Sequence, residues 1–504
     1  MQLTLLSVTA RSAAFEVVTD ELYSLSAPLP LTLNGKPAGV AETVVFSLYG
    51  LQPDTAYTLD TPGGSVCFRT EWESVTLDVR RFGAVGDGLH DDTAAIQAAI
   101  SCCPERGRVV VPAGRYAVLP LFLKSHIRLE LQPGAVLLLN TDRSRFPILP
   151  GMVQDTDEVG EHNYGTWEGN PLDCYAALLT GVGVEDVAVY GGGTIDGQAQ
   201  LGDWWQDPKT RRGAWRGRMV FLNGCKSVTL QGITVQNSPS WNLHPYFSDG
   251  LKFINLTINA PKDSPNTDGF DPESCADVLL AGCHFSLGDD CIAIKSGKIY
   301  MGRKYKKPCE HIRVRHCLME NGHGGMTVGS EMAGGVRDVL VQHCLMRNTD
   351  RGLRVKSRRG RGSQGEIDGI TFENVRMQRV GTPLVVNAMY FCDPDGHSPY
   401  VQSREPQPVD ERTPRIGHIT FRRVEADGVA CAGYLLGLPE RPIACLTLQD
   451  VTITCDPAAA PMVPAMAEGV EETARRGLVA INTDRLELER VSITGMSGEA
   501  IERL

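Results

Sequence analysis

Short apolar triplets recur along most of this chain: Val228-Thr229-Leu230, Leu251-Lys252-Phe253, Val278-Leu279-Leu280, Ile312-Arg313-Val314, Val339-Leu340-Val341, Ile370-Thr371-Phe372, Ile419-Thr420-Phe421 and Leu446-Thr447-Leu448. They return every 23 to 49 residues, and each is followed by a second short apolar strand. Period-two alternation repeated at such an interval, with no long helical pattern, is the signature of a parallel β-solenoid. One coil cannot bury its inward row alone, so each must stack on the next. The expected fold is therefore all-β, a parallel β-helix. The longer gaps, and the stretches around 140–175 and 393–415, read as insertions on the binding face.

The first 74 residues are different. Runs such as Ala13-Ala14-Phe15-Glu16-Val17-Val18 and Val44-Val45-Phe46-Ser47-Leu48 are separate short strands with turn signals between them. The stretch from Gly50 to Leu59 resembles the region before the penultimate strand of fibronectin type III modules, with Tyr57 in the place of the corner tyrosine. We expect a small β-sandwich over 1–74 and the solenoid over 75–504. At the junction, Arg81–Gly88 leads into Asp91-Asp92-Thr93 and an Ala-rich run, which predicts a capped short helix. The glycine spacing there fits neither a dinucleotide nor a P-loop motif. The segment resembles the entry of pectin-lyase-like β-helices, where a helix plugs the open end; the helix sense this implies is right-handed.

The coils can be registered on one another. Cys283, Cys317 and Cys344 hold matching places, and six residues after each stand Asp289, His323 and Asp350. Twelve residues after each stand Lys295, Gly329 and Lys356, followed by Ser296, Ser330 and Ser357. Extending the register backwards places Asp268 beside Asp290. Stacked positions lie about 4.8 Å apart, so Asp268, Asp289 and Asp290 should form a tight carboxylate cluster. His323 stands one rung along, and Arg354 and Lys356 one rung further. Carboxylates that close repel, so at least one should hold its proton well above the usual range. A polar turn ladder and a calcium site are the alternatives for such a cluster; the neighbouring cations disfavour the ion.

The net charge of −11 argues against a nucleic-acid partner. Basic residues nonetheless cluster at Lys298, Arg303, Lys304, Lys306 and Lys307, and at Arg351, Arg354, Lys356, Arg358, Arg359 and Arg361. Solvated basic loops and a local positive groove are the two readings. No apolar run is long enough for a bilayer. The 15 cysteines suit buried, free thiols better than disulfides. Residues 1–6 lack the basic and apolar regions of a secretory signal, so a cytoplasmic location is expected.

Asn266-Thr267-Asp268, Gly288-Asp289-Asp290, Gly322-His323-Gly324 and Arg354-Val355-Lys356, in this order and spacing, resemble glycoside hydrolase family 28, the polygalacturonases. The resemblance spans roughly 75–490, and the amino-terminal module is like that of bacterial exo-acting members. It implies inverting hydrolysis of α-1,4-galacturonosidic bonds without a cofactor or metal. Asp289 would be the general acid, Asp268 and Asp290 would hold and deprotonate the water, and His323 would tune the acid. Arg354 and Lys356, with Lys295, Asn266 and Tyr390, would bind the substrate; Trp241 and His244 are candidates for a subsite wall. An inverting pair stands roughly 6.5–9.5 Å apart, more than one rung provides. The rivals are a rhamnogalacturonan or modified-galacturonan hydrolase, a calcium-dependent pectate lyase, and a carbohydrate-binding β-helix without activity.

Overall fold

The computed structural model describes residues 1–156 and 160–504; residues 157–159, inside the expected insertion at 140–175, lie outside the described residues. The chain begins as a sandwich of two antiparallel sheets. Leu3–Val8, Ser12–Val17 and Val45–Tyr49 form one, and Ser24–Leu33, Lys36–Thr43, Ala56–Thr61 and Gly64–Arg69 the other. Phe15, Phe46 and Phe68 pack in its core, with Phe15 stacked on Phe46 and edge-on to Phe68. The Tyr57 hydroxyl accepts a hydrogen bond from the Gln52 amide at 2.9 Å, the corner contact expected of that tyrosine.

The solenoid follows as a right-handed parallel β-helix. Its large sheet of 23 strands carries the apolar triplets in one continuous register: Leu230 pairs with Phe253, then Leu280, Val314, Val341, Phe372, Phe421 and Leu448. This inward column is fully buried or nearly so. Between the two strands of each coil the backbone turns through one residue at positive φ: Gly232, Asn255, Gly282, His316, His343 and Asn374 in succession. A single left-handed residue suffices for such a bend, and Gly and Asn adopt it at least cost. The following residue turns inward, which explains the stacked Cys283, Cys317 and Cys344. All 15 cysteines are free and 12 of them are buried.

The helix Thr93–Cys102 starts where expected and buries Ile96, Ala99 and Ile100 in the solenoid core. Its cap differs from expectation. The Asp92 side chain does not bond the helix; it accepts from the Val85 and Gly86 amides at 2.7 and 3.0 Å. That carboxylate therefore fixes the glycine-rich loop to the helix start, which accounts for the motif without any ligand. The sandwich packs against the large sheet through Leu6, Ala14 and Val45 on Ile254 and Ala281. The Glu16 carboxylate pairs with Arg315 at 2.9 Å, and the His316 ring meets the Leu22 carbonyl at 2.7 Å.

A second parallel sheet covers another face. It runs through Leu121–Phe122, Leu179–Val182, Val220–Asn223 and Leu243–Tyr246, and resumes at Ile292–Ile294, Met326–Val328, Arg351–Lys356 and Thr382–Asn387. Only isolated bridges from Phe270 and Glu273 span the interruption. Pro272 lies between them and has no amide hydrogen for the ladder. The irregular turn at this break carries Asp268.

Candidate active site

Phe270 bridges Leu243 on one side and Ile292 on the other, and the Gly269 amide donates to the Asp290 carbonyl at 3.0 Å. Asp268 and Asp290 are thus neighbours in one column, as the repeat register predicts. Ile292 pairs with Met326 and Met326 with Leu353, which sets His323 beside Asp289 and puts Arg354 two coils beyond Asp290. Carboxylate oxygens of Asp268, Asp289 and Asp290 all lie within 4.8 Å of one another. Asp268 and Asp290 are buried, whereas the Asp289 side chain keeps 19% exposure and is the member that faces solvent.

The cations divide these carboxylates. Lys356 Nζ stands 2.8 Å and Arg354 Nη1 3.0 Å from Asp290, and this pairing outweighs burial and holds Asp290 far below the usual carboxylate range. The half-exposed His323 ring meets Asp289 at 3.3 Å. Burial pushes Asp289 up, but the histidine outweighs it and keeps the carboxylate low, while the same hydrogen bond raises His323. Asp268 goes the other way. Burial, then the charges of Asp289 and Asp271, drive it well above the ordinary value, against the pull of Lys295 at 4.0 Å. In the free site burial and the acidic neighbours favour the protonated form of Asp268, and the hydrogen bond to Asp289 favours the charged form of His323.

Three groups joined to this cluster are not among the residues expected from the sequence. Lys295 Nζ lies 3.5 Å from Asp271 and 3.3 Å from Glu331, and 4.4 Å from the Trp241 ring centre. The Glu273 carboxyl meets the buried His244 ring at 3.0 Å. Burial raises Asp271 and Glu273 to about 8. The run Asp268-Gly-Phe-Asp271-Pro-Glu273 contains the signal for them, three acids on one strand-like stretch. Asp271 is fully buried, and among the described residues neither of its oxygens has a hydrogen-bond partner. A carboxyl raised from about 3.8 to about 8 keeps its proton in the folded chain where the unfolded chain has lost it, so folding stability falls as pH rises across that interval. The Asp271→Asn chain should lose this term: its thermal melting temperature relative to wild type is expected to rise progressively between pH 5 and 8.

Of the proposed binding residues, Arg354 and Lys356 are engaged with Asp290, and the Tyr390 ring lies 5.8 and 5.5 Å from their charged ends. Lys295 is held by acids as described, and Asn266 Oδ1 accepts from Arg216 at 2.6 Å. Trp241 and His244 are packed edge to face at 4.8 Å and are both buried. Neither reading of the basic clusters stands unaltered. Lys298, Arg303, Lys304 and Lys307 each pair with an acid distant in sequence, namely Asp393, Glu411, Glu161 and Asp249. The second cluster is buried rather than solvated, with Arg358 on Asp395 and Arg359 on Glu440. As for a metal, the three aspartates are close enough to share one. Lys356 and Arg354 already satisfy Asp290, however, and Lys295 stands against Asp268, so the donor set fits a cation poorly.

A sequence profile of the glycosyl hydrolases family 28 matches residues 155–455. Residues 76–129 match a profile described as rhamnogalacturonase A/epimerase, pectate lyase-like. A probable polygalacturonase of Vitis vinifera is 32% identical over 380 residues, 74% of this chain and 73% of the relative. An endo-polygalacturonase of Pectobacterium parmentieri is 33% identical over 313 residues, 59% of this chain and 72% of its own. The solved family 28 exopolygalacturonase of Yersinia enterocolitica superposes with a TM-score of 0.76 at 20% identity, covering 100% of this chain and 98% of that one, and so shares its fold. The matched segment contains the whole aspartate cluster, His323 and the Arg354–Lys356 pair, and with it the chain belongs to the glycosyl hydrolases family 28.

Proposed function

We propose that the chain hydrolyses α-1,4-galacturonosidic bonds and acts from a chain end, releasing galacturonic acid. The observation that carries this is the cluster of three carboxylates within 4.8 Å of one another, whose surroundings favour a proton on Asp268 and charge on Asp289 and Asp290, beside a pair of cations suited to a uronate carboxylate. In this reading a bound uronate takes up Arg354 and Lys356. That releases Asp290 from them and adds negative charge near Asp289, which raises its proton affinity. The His323 imidazolium supplies the proton that Asp289 passes to the glycosidic oxygen as the C–O bond breaks. Asp268 and Asp290 jointly hold the water, and the ionised Asp290 takes its proton as the water oxygen bonds to carbon.

Action from a chain end is supported by the two insertions. Gly169 of the first accepts from the Lys298 amide at 2.9 Å, and Asp393 of the second lies 3.7 Å from Lys298 Nζ. They converge at one residue just past Lys295, and in this reading they close one end of the substrate's path. The curated relatives bear both endo- and exo- names, so the product pattern decides. Oligogalacturonates of defined length should yield monomer from the first time point, in proportion to turnover; mixed lengths at early times would refute the exo reading. The same samples read by proton NMR report the anomer first formed. Inversion is expected, although the nearest carboxylate oxygens stand within 4.8 Å, under the usual inverting separation; retention would mean that an aspartate attacks the sugar directly. Treatment with a chelator should leave the rate unchanged. The free thiols suit a reducing compartment, where short imported oligomers would be the substrate.

A further inference from the structure

Two guanidinium groups on the far side of the cluster are buried, with no counter-ion in contact among the described residues. Arg216 is 3% and Arg218 1% exposed. Their side-chain hydrogen bonds go to neutral oxygens: Arg216 to the Pro239 and Pro265 carbonyls and Asn266 Oδ1, Arg218 to the Arg216 and Thr166 carbonyls. Nε of each has no hydrogen-bond partner among the described residues. The nearest acid in electrostatic effect on Arg216 is Glu168, whose carboxylate is taken by Lys209 at 2.8 Å. An uncompensated buried cation is costly, and the sequence nevertheless places two together.

Their position gives the cost a purpose. Val220 pairs with Leu243, and Leu243 bridges Phe270. The arginines therefore precede Asp268 by two coils, as Arg354 and Lys356 follow Asp290 by two. The Arg216 side chain runs from its own coil past Pro239 to Asn266, toward the catalytic turn. Trp167, from the insertion, covers it at 5.3 Å and stacks parallel to Trp215 at 4.8 Å. A galacturonan carries one carboxylate on every sugar, so cleavage between two sugars presents an anion on each side of the aspartates. Arg354 and Lys356 serve one.

We propose that Arg216, with Asn266 and Trp167 beside it, forms a second uronate subsite that takes the carboxylate of the sugar across the cleaved bond from Arg354 and Lys356. This rests on the galacturonide reading above. Arg218, held among Trp167, Trp241 and Phe221 at 5.4, 5.4 and 5.7 Å, supports Arg216 from below through its carbonyl.

The test uses digalacturonate and its two singly methyl-esterified forms. Wild type should lose on the order of 100-fold in kcat/KM on either ester, since each removes the negative charge that one of the two cationic sites binds. Arg216→Gln should be slow on the diacid yet indifferent to esterification of one particular sugar, while still penalising the other ester. Arg354→Gln should show the opposite pattern. Arg216→Lys keeps the charge and should retain part of the penalty; it serves in place of Arg216→Gln if that variant does not fold. Equal slowing on all three compounds with both ester penalties intact would overturn the subsite and leave Arg216 a packing residue. If wild type hydrolyses none of them, the galacturonide reading fails by itself, and calorimetric binding of the same three compounds to wild type and Arg216→Gln then decides the subsite: affinities that do not differ between the two proteins would overturn it.

Discussion

An Asp289→Asn chain should fold as wild type does and release reducing ends from oligogalacturonates about 10²–10⁴ times more slowly, the range expected when general-acid transfer is lost. The carboxylate is the one member of the cluster that reaches solvent, at 19% side-chain exposure, so an isosteric amide there strands no buried partner. What it removes is the acceptor of the His323 proton. The loss should fall on kcat rather than KM, because Asp289 makes its contribution to the leaving oxygen as the bond breaks. His323→Gln provides the companion measurement. The histidine is raised by its hydrogen bond to Asp289, so wild-type activity should persist to pH values above the ordinary histidine range and fall as the imidazolium is lost. In His323→Gln that alkaline limb should move or vanish. An Asp289→Asn chain with unaltered kcat would remove the acid from this residue and direct attention to Asp268, the carboxyl whose surroundings favour its protonated form.

The column of aspartates was legible because coil geometry is strict between each cysteine and the second sheet. Cys283, Cys317 and Cys344 turn inward after a left-handed residue, and an equal number of residues then leads to Ile292, Met326 and Leu353, which pair directly. Even the backward step to Asp268 survived a turn with only isolated bridges. The distribution of protons and ion pairs was not legible. Asp271 and Glu273 alternate outward and look like solvent-facing acids, yet burial raises both to about 8. Lys304 and Lys307 look like a basic loop, and their partners Glu161 and Asp249 lie well outside the local pattern. Arg216 reaches Asn266, 50 residues on, through the length of its side chain. A repeat register locates backbones; it contains no information on how a long side chain crosses from one coil to another.

Asp290→Asn should be the most destabilising of the single substitutions in the cluster. Asp290 is fully buried and neutralises Lys356 at 2.8 Å and Arg354 at 3.0 Å. An amide of the same shape leaves two buried cations without their counter-charge, and breaking a buried pair in this way costs about 3–5 kcal/mol. The pH dependence follows from the direction of the shift. Asp290 is depressed in the folded chain, so its contribution is present above the unfolded carboxyl value of about 3.9 and is lost as pH falls toward the folded one. The difference between wild type and variant should therefore be complete at pH 7 and narrow only below about pH 4. Tryptophan fluorescence is the suitable probe, because five of the six tryptophans, Trp167, Trp204, Trp205, Trp215 and Trp241, belong to the solenoid and only Trp72 lies near the sandwich. Adding Lys356→Met to Asp290→Asn should recover part of the loss, since one stranded cation goes with it, whereas Lys356→Met alone should destabilise. Additive losses in the double variant would show that the pair does not act as a unit, and with that the depression of Asp290 below its neighbour Asp268 would lose its electrostatic cause.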